Sequence, residues 1–246
     1  YTGWYTLSLH DALPISKRPY SFGLNSKLVR NSKGQLEEKV WKSGGMYGAA
    51  INKIVYWLEK AQTVAENKQQ GDAIGLLISY YKSGNLKTWD DYNIAWSQAT
   101  EGNIDYINSF IEVYSDPLGY RGSYESIVQI KDFDMSKKME VISKNAQWFE
   151  DNSPLIPENK KKNVVGVSYK TVVVAGESGD SSPATPIGVN LPNSDWIRAE
   201  HGSKSVSLGN IIDAYNNAGG KGRLQEFAND AEEIALAEKY AELGDK

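Results

Sequence analysis

Cysteine is absent from the 246-residue chain, and histidine occurs only at His10 and His201. The first absence excludes disulfides, thiolate zinc sites and a cysteine nucleophile. The second leaves too few imidazoles for an ordinary zinc hydrolase site. Long apolar runs are missing too, which at a mean hydropathy of -0.50 excludes a transmembrane helix. Nor is there an excess of positive charge. With 27 Lys and Arg against 31 Asp and Glu, the formal net charge is -4, which argues against nucleic acid or an anionic membrane surface as a partner. What is present is an ordinary globular composition, 40% hydrophobic and 24% charged, long enough for one large domain or two small ones.

The two ends read differently from the middle. Tyr1–Ser16, YTGWYTLSLHDALPIS, has neither the basic start nor the apolar block of a signal peptide. SLHDALPIS resembles the translated read-through of a sequencing adapter, so residues 1–16 are expected to be non-native, and His10 and Asp11 receive no functional weight. The alternative is a native edge strand. The chain starts at Tyr1 rather than methionine and its last helix has no stop signal, so a piece of a longer protein is expected.

Between the ends the pattern is mixed. Asn31–Gly34 predicts a hairpin tip. Ile51, Ile54, Val55, Leu58, Ala61 and Ala65 recur at three and four, predicting a helix after Gly44-Gly45. Ile74, Leu77, Ile78 and Tyr81 predict a second, stopped by Gly84. Thr88 with Asp91 predicts the cap of a third, and Ile104, Ile107 and Ile111 a fourth. The aromatics Tyr56, Trp57, Tyr80, Tyr81, Trp89 and Trp96 read as core rather than a ligand cage. Strands are predicted at Tyr124–Ile130 and Val164–Ala175, with a helix carrying Met135, Met139, Ile142, Ala146 and Phe149 between them. Gly176–Pro186 reads as loop, a short helix starts near Asn210, and Leu224–Leu243 is an acidic amphipathic helix.

Few residues offer chemistry. Ala218-Gly-Gly-Lys-Gly222 follows a helix and lacks the hydroxyl of a phosphate loop. A triad of His201 with Ser203 or Ser205 lacks any nucleophile elbow. Glu112, Asp116 and Glu125 surround one turn and offer a self-contained acid/base site, as in a glycosidase. Glu112-x-Tyr114, read as a helix end entering that turn, pairs a carboxylate suited to an ammonium with a phenol suited to an oxyanion. Ile187–Asn193 reads as a strand ending in a polar rim. Its Asn190 and Asn193 either close a turn or hold a peptide backbone or terminal amine.

Several long segments share one likeness. IEVYSDPLGYRGSYESIVQIKD, NAQWFEDNSP and PATPIGVNLPNSDWIRAEHGSKSVSLGNI, preceded by GLNSKLV, EKVWKSGGMYGAAINKIVYWLEKA and LKTWDDYNIAW, resemble the dipeptidyl peptidase III family in order, in particular its bacterial branch. The resemblance implies a zinc exopeptidase that removes dipeptides from the N-terminus of short peptides. It also implies an α+β, predominantly helical fold in two lobes, one containing a small β-barrel. The family's zinc is held by a His-Glu-x-x-x-His motif and a later glutamate, none of which this sequence contains. The resemblance therefore implies a fragment ending before the zinc site, inactive alone, whose partner is the missing C-terminal part of the same chain. By the same resemblance Tyr114 stabilises the oxyanion, Glu112 binds the free amino terminus, and Asn190 and Asn193 grip the substrate backbone, with Asp195 and Asn210 as weaker candidates for holding that loop. Residues 17–132 and 173–215 are assigned to the substrate-binding lobe, and residues 133–172 and 216–246 to the helical lobe, the last truncated. A non-catalytic peptide- or glycan-binding module is the alternative.

Overall fold

A computed structural model describes residues 18–164, 167–182, 185–218 and 230–244. Two strands, β1 (Ser26–Arg30) and β2 (Leu36–Val40), form an antiparallel hairpin. Its tip is the expected Asn31–Gly34 turn. The Asn31 carboxamide oxygen accepts from the amides of Lys33 at 2.9 Å and Gln35 at 3.1 Å, and Gly34 takes the left-handed conformation that an L side chain resists.

Three helices follow: α1 (Gly48–Thr63), α2 (Lys68–Ser83) and α3 (Leu86–Gln98). The spacing at three and four that predicted the first two places Ile51, Val55, Ile74, Leu77 and Ile78 in one core. Gly84 ends α2 with φ 70°, as expected of a left-handed cap. The cap of α3 is Asn85, not Thr88; its side chain accepts from the amides of Lys87 and Thr88. Asparagine just before the first helical residue reaches those donors, whereas Thr88 already lies inside the first turn. Tyr80, Tyr81, Trp89 and Trp96 are buried, but Tyr56 and Trp57 are exposed on α1, so the expected aromatic core holds for four of the six.

The predicted fourth helix is a strand. β3 (Ile104–Glu112) pairs antiparallel with β4 (Ser123–Lys131). Ile107 and Ile111 are buried, and so is Phe110 between them. Burial on both faces erased the alternation that marks a strand and left a spacing that mimics a helix. Glu112 and Tyr114 therefore leave the end of a strand, not of a helix. A bulge between Phe110 and Glu112 shifts the register there, and a bulge re-aims the side chains beside it.

β3 and β4 belong to a five-stranded sheet with β5 (Val167–Gly179), β6 (Gly188–Leu191) and β7 (Ser203–Leu208), in the order β3-β4-β5-β7-β6. Among the described strands of this sheet only β5 and β7 run parallel. β5 extends to Gly179, past the predicted start of the loop. It is one continuous strand across positions 172 and 173. Around the sheet lie α4 (Phe133–Lys144), α5 (Ala146–Asp151), a 3-10 turn at Pro157–Asn159, α6 (Asp195–His201), α7 (Gly209–Ala218) and α8 (Ala231–Gly244). α4 and α5 split the predicted single helix at Asn145. The predicted break at Gly219–Gly222 and the start of the tail lie outside the described residues. The fold is thus mixed helix and sheet, but the expected barrel is not closed: no ladder joins β3 to β6 among the described residues.

Side chains do what the ladder does not. Lys204 of β7, 3% exposed, reaches Asp105 of β3 at 2.8 Å. Its ammonium lies 4.2 Å from the Trp96 ring centroid, and the Trp96 indole donates to Asp105 at 3.1 Å. Leu191 of β6 joins Ile107, Phe110 and Ile111 in the main core. The sheet is therefore curled, with its two edges drawn toward each other across the helical core. A pair with one partner buried and the other partly so gains from mutual attraction but leaves an uncompensated charge when one partner is removed. Lys204→Met is expected to lower unfolding stability by about 3–5 kcal/mol, and Lys204→Met with Asp105→Leu to recover most of that, as read from urea midpoints at constant m-value.

Candidate functional site

The bulge in β3, the turn after β5 and the segment after β6 meet at one end of the sheet. Glu112 stands at the end of β3, and its carboxylate accepts from the Asn193 side-chain amide at 3.2 Å. Two residues on, Tyr114 is 71% exposed, and its phenol donates to Asp180 at 2.7 Å. Asp180 is held in place by its own backbone, whose amide donates to the Tyr124 carbonyl at 2.8 Å. Gly179 before it has φ 72°, and a Cβ there would lie 2.1 Å from that same carbonyl. The tightness of this turn requires glycine. Glu125 faces the group from β4, 5% exposed, with one carboxylate oxygen lacking a hydrogen-bond partner.

Electrostatics ties these groups together. Burial first, then the charges of Glu112 and Asp180, push the Glu125 carboxyl up to about 7. The hydrogen bond to Asp180 first, then partial burial and the charges of Asp180, Glu112 and Glu125, push the Tyr114 phenol up to about 12. Like charges in a half-dry recess disfavour further negative charge, so near neutral pH Tyr114 keeps its proton and Glu125 shares one with solvent. The arrangement can receive a cation and donate from a phenol and an amide.

Of the residues expected to act, Glu112, Tyr114 and Asn193 come together. Asn190 lies on edge strand β6 opposite Ser205, whose hydroxyl donates to its side chain at 3.3 Å. The carboxamide of Asn210 pairs instead with the Val174 backbone, accepting from its amide at 3.0 Å and donating to its carbonyl at 3.3 Å. Asp195 is an exposed first residue of α6. Asp116 does not join Glu112 and Glu125. Its two oxygens are taken by its own turn, one accepting from the Tyr120 amide at 3.1 Å and the other pairing with Arg121 at 3.0 Å, and the Tyr120 bond above all holds its carboxyl below the ordinary value. His201 meets the edge of Trp196 and, among the described residues, no hydrogen bond joins it to Ser203 or Ser205. Asp180 carries no local sequence signal; the pairing of Glu125 with Gly179 alone brings it here. Glu125 was visible only as one acid beside a turn.

Among the described residues no three His, Asp or Glu side chains are arranged to hold a metal ion, so the residues described do not fit a zinc site. A separate apolar cavity of about 460 Å³ lies between α1 and the β3–β4 pair, lined by Ile54, Trp57, Val64, Ile104 and Val128 among others. Glu66 at its rim is occupied by the amides of Asn103 and Ile104, each at 2.8 Å. The chemistry therefore lies at the carboxylate cluster.

The raised Glu125 carboxyl makes stability depend on pH with a definite sign. In the folded state it keeps its proton up to about 7, against an ordinary value of 4.5. Its stabilising contribution is complete below 4.5 and is lost as pH rises through about 7. Asp90 of α3, raised to about 6 by burial and then by Asp91, acts in the same direction over a lower window. Calorimetry should show Tm falling by roughly 5 °C between about pH 5 and about pH 8. Glu125→Gln should remove the upper part of that slope and leave the part belonging to Asp90.

A family model described as Peptidase family M49 matches residues 21–242. Dipeptidyl peptidase 3 of Homo sapiens is 31% identical over 168 residues, which is 68% of this chain and 22% of that protein. Dipeptidyl peptidase 3 of Dictyostelium discoideum is 32% identical over 174 residues, 69% of this chain and 24% of that one. The solved DPP III from Caldithrix abyssi superposes with a TM-score of 0.71 at 22% identity, over 86% of this chain and 40% of its own. Dipeptidyl-peptidase III from Corallococcus sp. strain EGB gives 0.67 at 19% identity, over 83% and 38%. This chain spans less than a quarter of the length of the curated relatives it matches. It belongs to Peptidase family M49.

Proposed function

We propose that this chain carries the peptide-binding wall of a zinc-dependent dipeptidyl peptidase of the bacterial branch, the zinc-holding residues being supplied by the remainder of a longer protein. The observation that carries the reading is the Asn193–Glu112 contact. It joins segments 81 residues apart and gathers residues whose types suit the amino-terminal end of a peptide. Glu112 offers charge and hydrogen-bond acceptors to a terminal ammonium. Asn193 and Asn190 offer both donors and acceptors to peptide units. β6 is the last strand of the sheet, so its outer backbone groups can pair with an extended substrate. The exposed Tyr114 phenol, kept protonated, donates to the oxygen that becomes negative during hydrolysis. Zinc, when bound by the complete enzyme, supplies Lewis acidity and an activated water.

The division into lobes is part of the same proposal. Residues 17–132 and 173–215 would form the substrate lobe, residues 133–172 and 216–246 the beginning of a helical lobe, and residues 1–16 would be foreign. In support, α4 and α5 leave Val141, Ile142, Trp148 and Phe149 exposed, a concentration of apolar surface that soluble proteins usually cover. The α4 end is anchored on β5, where the Ser136 hydroxyl donates to the Thr171 carbonyl at 3.1 Å. The helix thus has a seat on one side and bare apolar surface on the other.

Two measurements test this reading. In the full-length, zinc-loaded enzyme, Tyr114→Phe should lower kcat by about 10²–10³ and leave KM nearly unchanged; equal losses in both would remove the oxyanion role. Residues 17–246 alone should release no dipeptide from an arylamide substrate, and chelator-sensitive release would overturn the assignment of the zinc residues to the rest of the protein.

A further inference from the structure

If Tyr114 acts as the oxyanion donor, its proton has a prior commitment in this structure. The phenol already donates, to Asp180. Tyr114 is otherwise largely surrounded by solvent, and no second side chain holds its hydroxyl among the described residues. Asp180, by contrast, stands on a turn fastened at several points. Its amide donates to the Tyr124 carbonyl, and the Ser182 amide to the Gly179 carbonyl at 3.0 Å. The buried Ser181 hydroxyl is placed to donate to the Ser126 carbonyl at 3.2 Å and the Ser178 carbonyl at 3.1 Å. One partner is free to swing and the other is anchored to β4, so the anchored one sets the position of the pair.

We propose that Asp180 is a positioning residue for Tyr114: it parks the phenol at the mouth of the carboxylate cluster and yields the phenol's hydrogen bond to the oxyanion of the substrate. The proposal rests on the reading of Tyr114 given above and adds a residue to it. Parking restricts a side chain with two free torsions to one direction, which is the ordering that a reactive geometry otherwise requires at the moment of reaction. It also keeps the phenol neutral. Three carboxyls face it, Glu112 from β3, Glu125 from β4 and Asp180 from the turn after β5, and all oppose its ionisation. Exchange is feasible because Asp180 is only half-buried, so water can replace the phenol on its carboxylate. No covalent bond forms or breaks in the exchange; one hydrogen-bond acceptor replaces another.

The two effects of Asp180, direction and charge, separate by substitution. Asp180→Asn keeps an acceptor oxygen and loses the charge; Asp180→Ala loses both. In the 246-residue chain labelled with ¹³Cζ tyrosine, the Tyr114 resonance is assigned by its disappearance in Tyr114→Phe. Its titration midpoint, which the bond to Asp180 raises above that of a free phenol, should fall in both variants, and by less in Glu125→Gln. An unchanged midpoint in Asp180→Ala would overturn the proposal. In the full-length enzyme, Asp180→Asn should keep most of kcat while moving the alkaline limb of the pH–rate profile downward. Asp180→Ala should also lower kcat about tenfold with KM little changed. Both effects should vanish in a Tyr114→Phe background. If Asp180→Ala costs as much in that background, Asp180 acts elsewhere and the proposal fails. If Tyr114→Phe leaves turnover intact while the titration shift persists, the oxyanion reading fails and the holding of the phenol by Asp180 stands.

Discussion

The pair of partly buried Asp105 and buried Lys204 is the constraint on which the arrangement depends. β3 and β7 are not neighbours in the sheet; β4 and β5 lie between them. A 2.8 Å contact between them is available only to a sheet rolled through its middle. Trp96 closes the same joint from the helical side, donating to Asp105 while its ring faces the Lys204 ammonium. The desolvation cost of two charges is offset by these converging partners, which include the Tyr106 amide donating to Asp105 at 2.9 Å. In place of the ladder of a closed barrel, one polar joint and a core that includes both Leu191 of β6 and Ile107, Phe110 and Ile111 of β3 hold the edges of the sheet near one another.

That curl is what makes a site. Asn193 follows β6 and Glu112 ends β3, on opposite edges of the sheet order, yet they touch. The β3 bulge between Phe110 and Glu112 and the glycine turn at Gly179 then decide which side chains turn inward. The outcome is a recess with three carboxyls and two donors, one a phenol and one an amide. Its excess of negative charge is tolerated because Glu125 takes up a proton near neutral pH instead of adding a third full charge. Such a cluster favours a cation over an anion.

The rest of the surface is uneven. One side of the sheet is covered by α1–α3 and a continuous core from Leu24 to Leu191. A smaller cluster of Val172, Val206 and Leu208 continues that face along β5 and β7, and α4 and α5 carry bare apolar residues. The relatives this chain matches are more than four times as long as the matched stretch, and there is ample chain in them to cover such a face.

Local pattern determined much of this protein. The Asn31–Gly34 tip, α1 and α2 with the Gly84 stop, β4, β5 and β6 follow from periodicity and turn chemistry, because each buries one face or ends at a residue with a special backbone. The family, too, was legible in the order of its segments. Tertiary structure decided the rest. β3 looked helical because both of its faces are buried, and the cap of α3 fell to Asn85 because that side chain sits where free amides point. Asp180 and Glu125 became part of the site through strand register alone. Short-range signals encode the geometry of one element; proximity between residues 66 apart, such as Tyr114 and Asp180, is set only when a curled sheet and its ion pair bring their strands together.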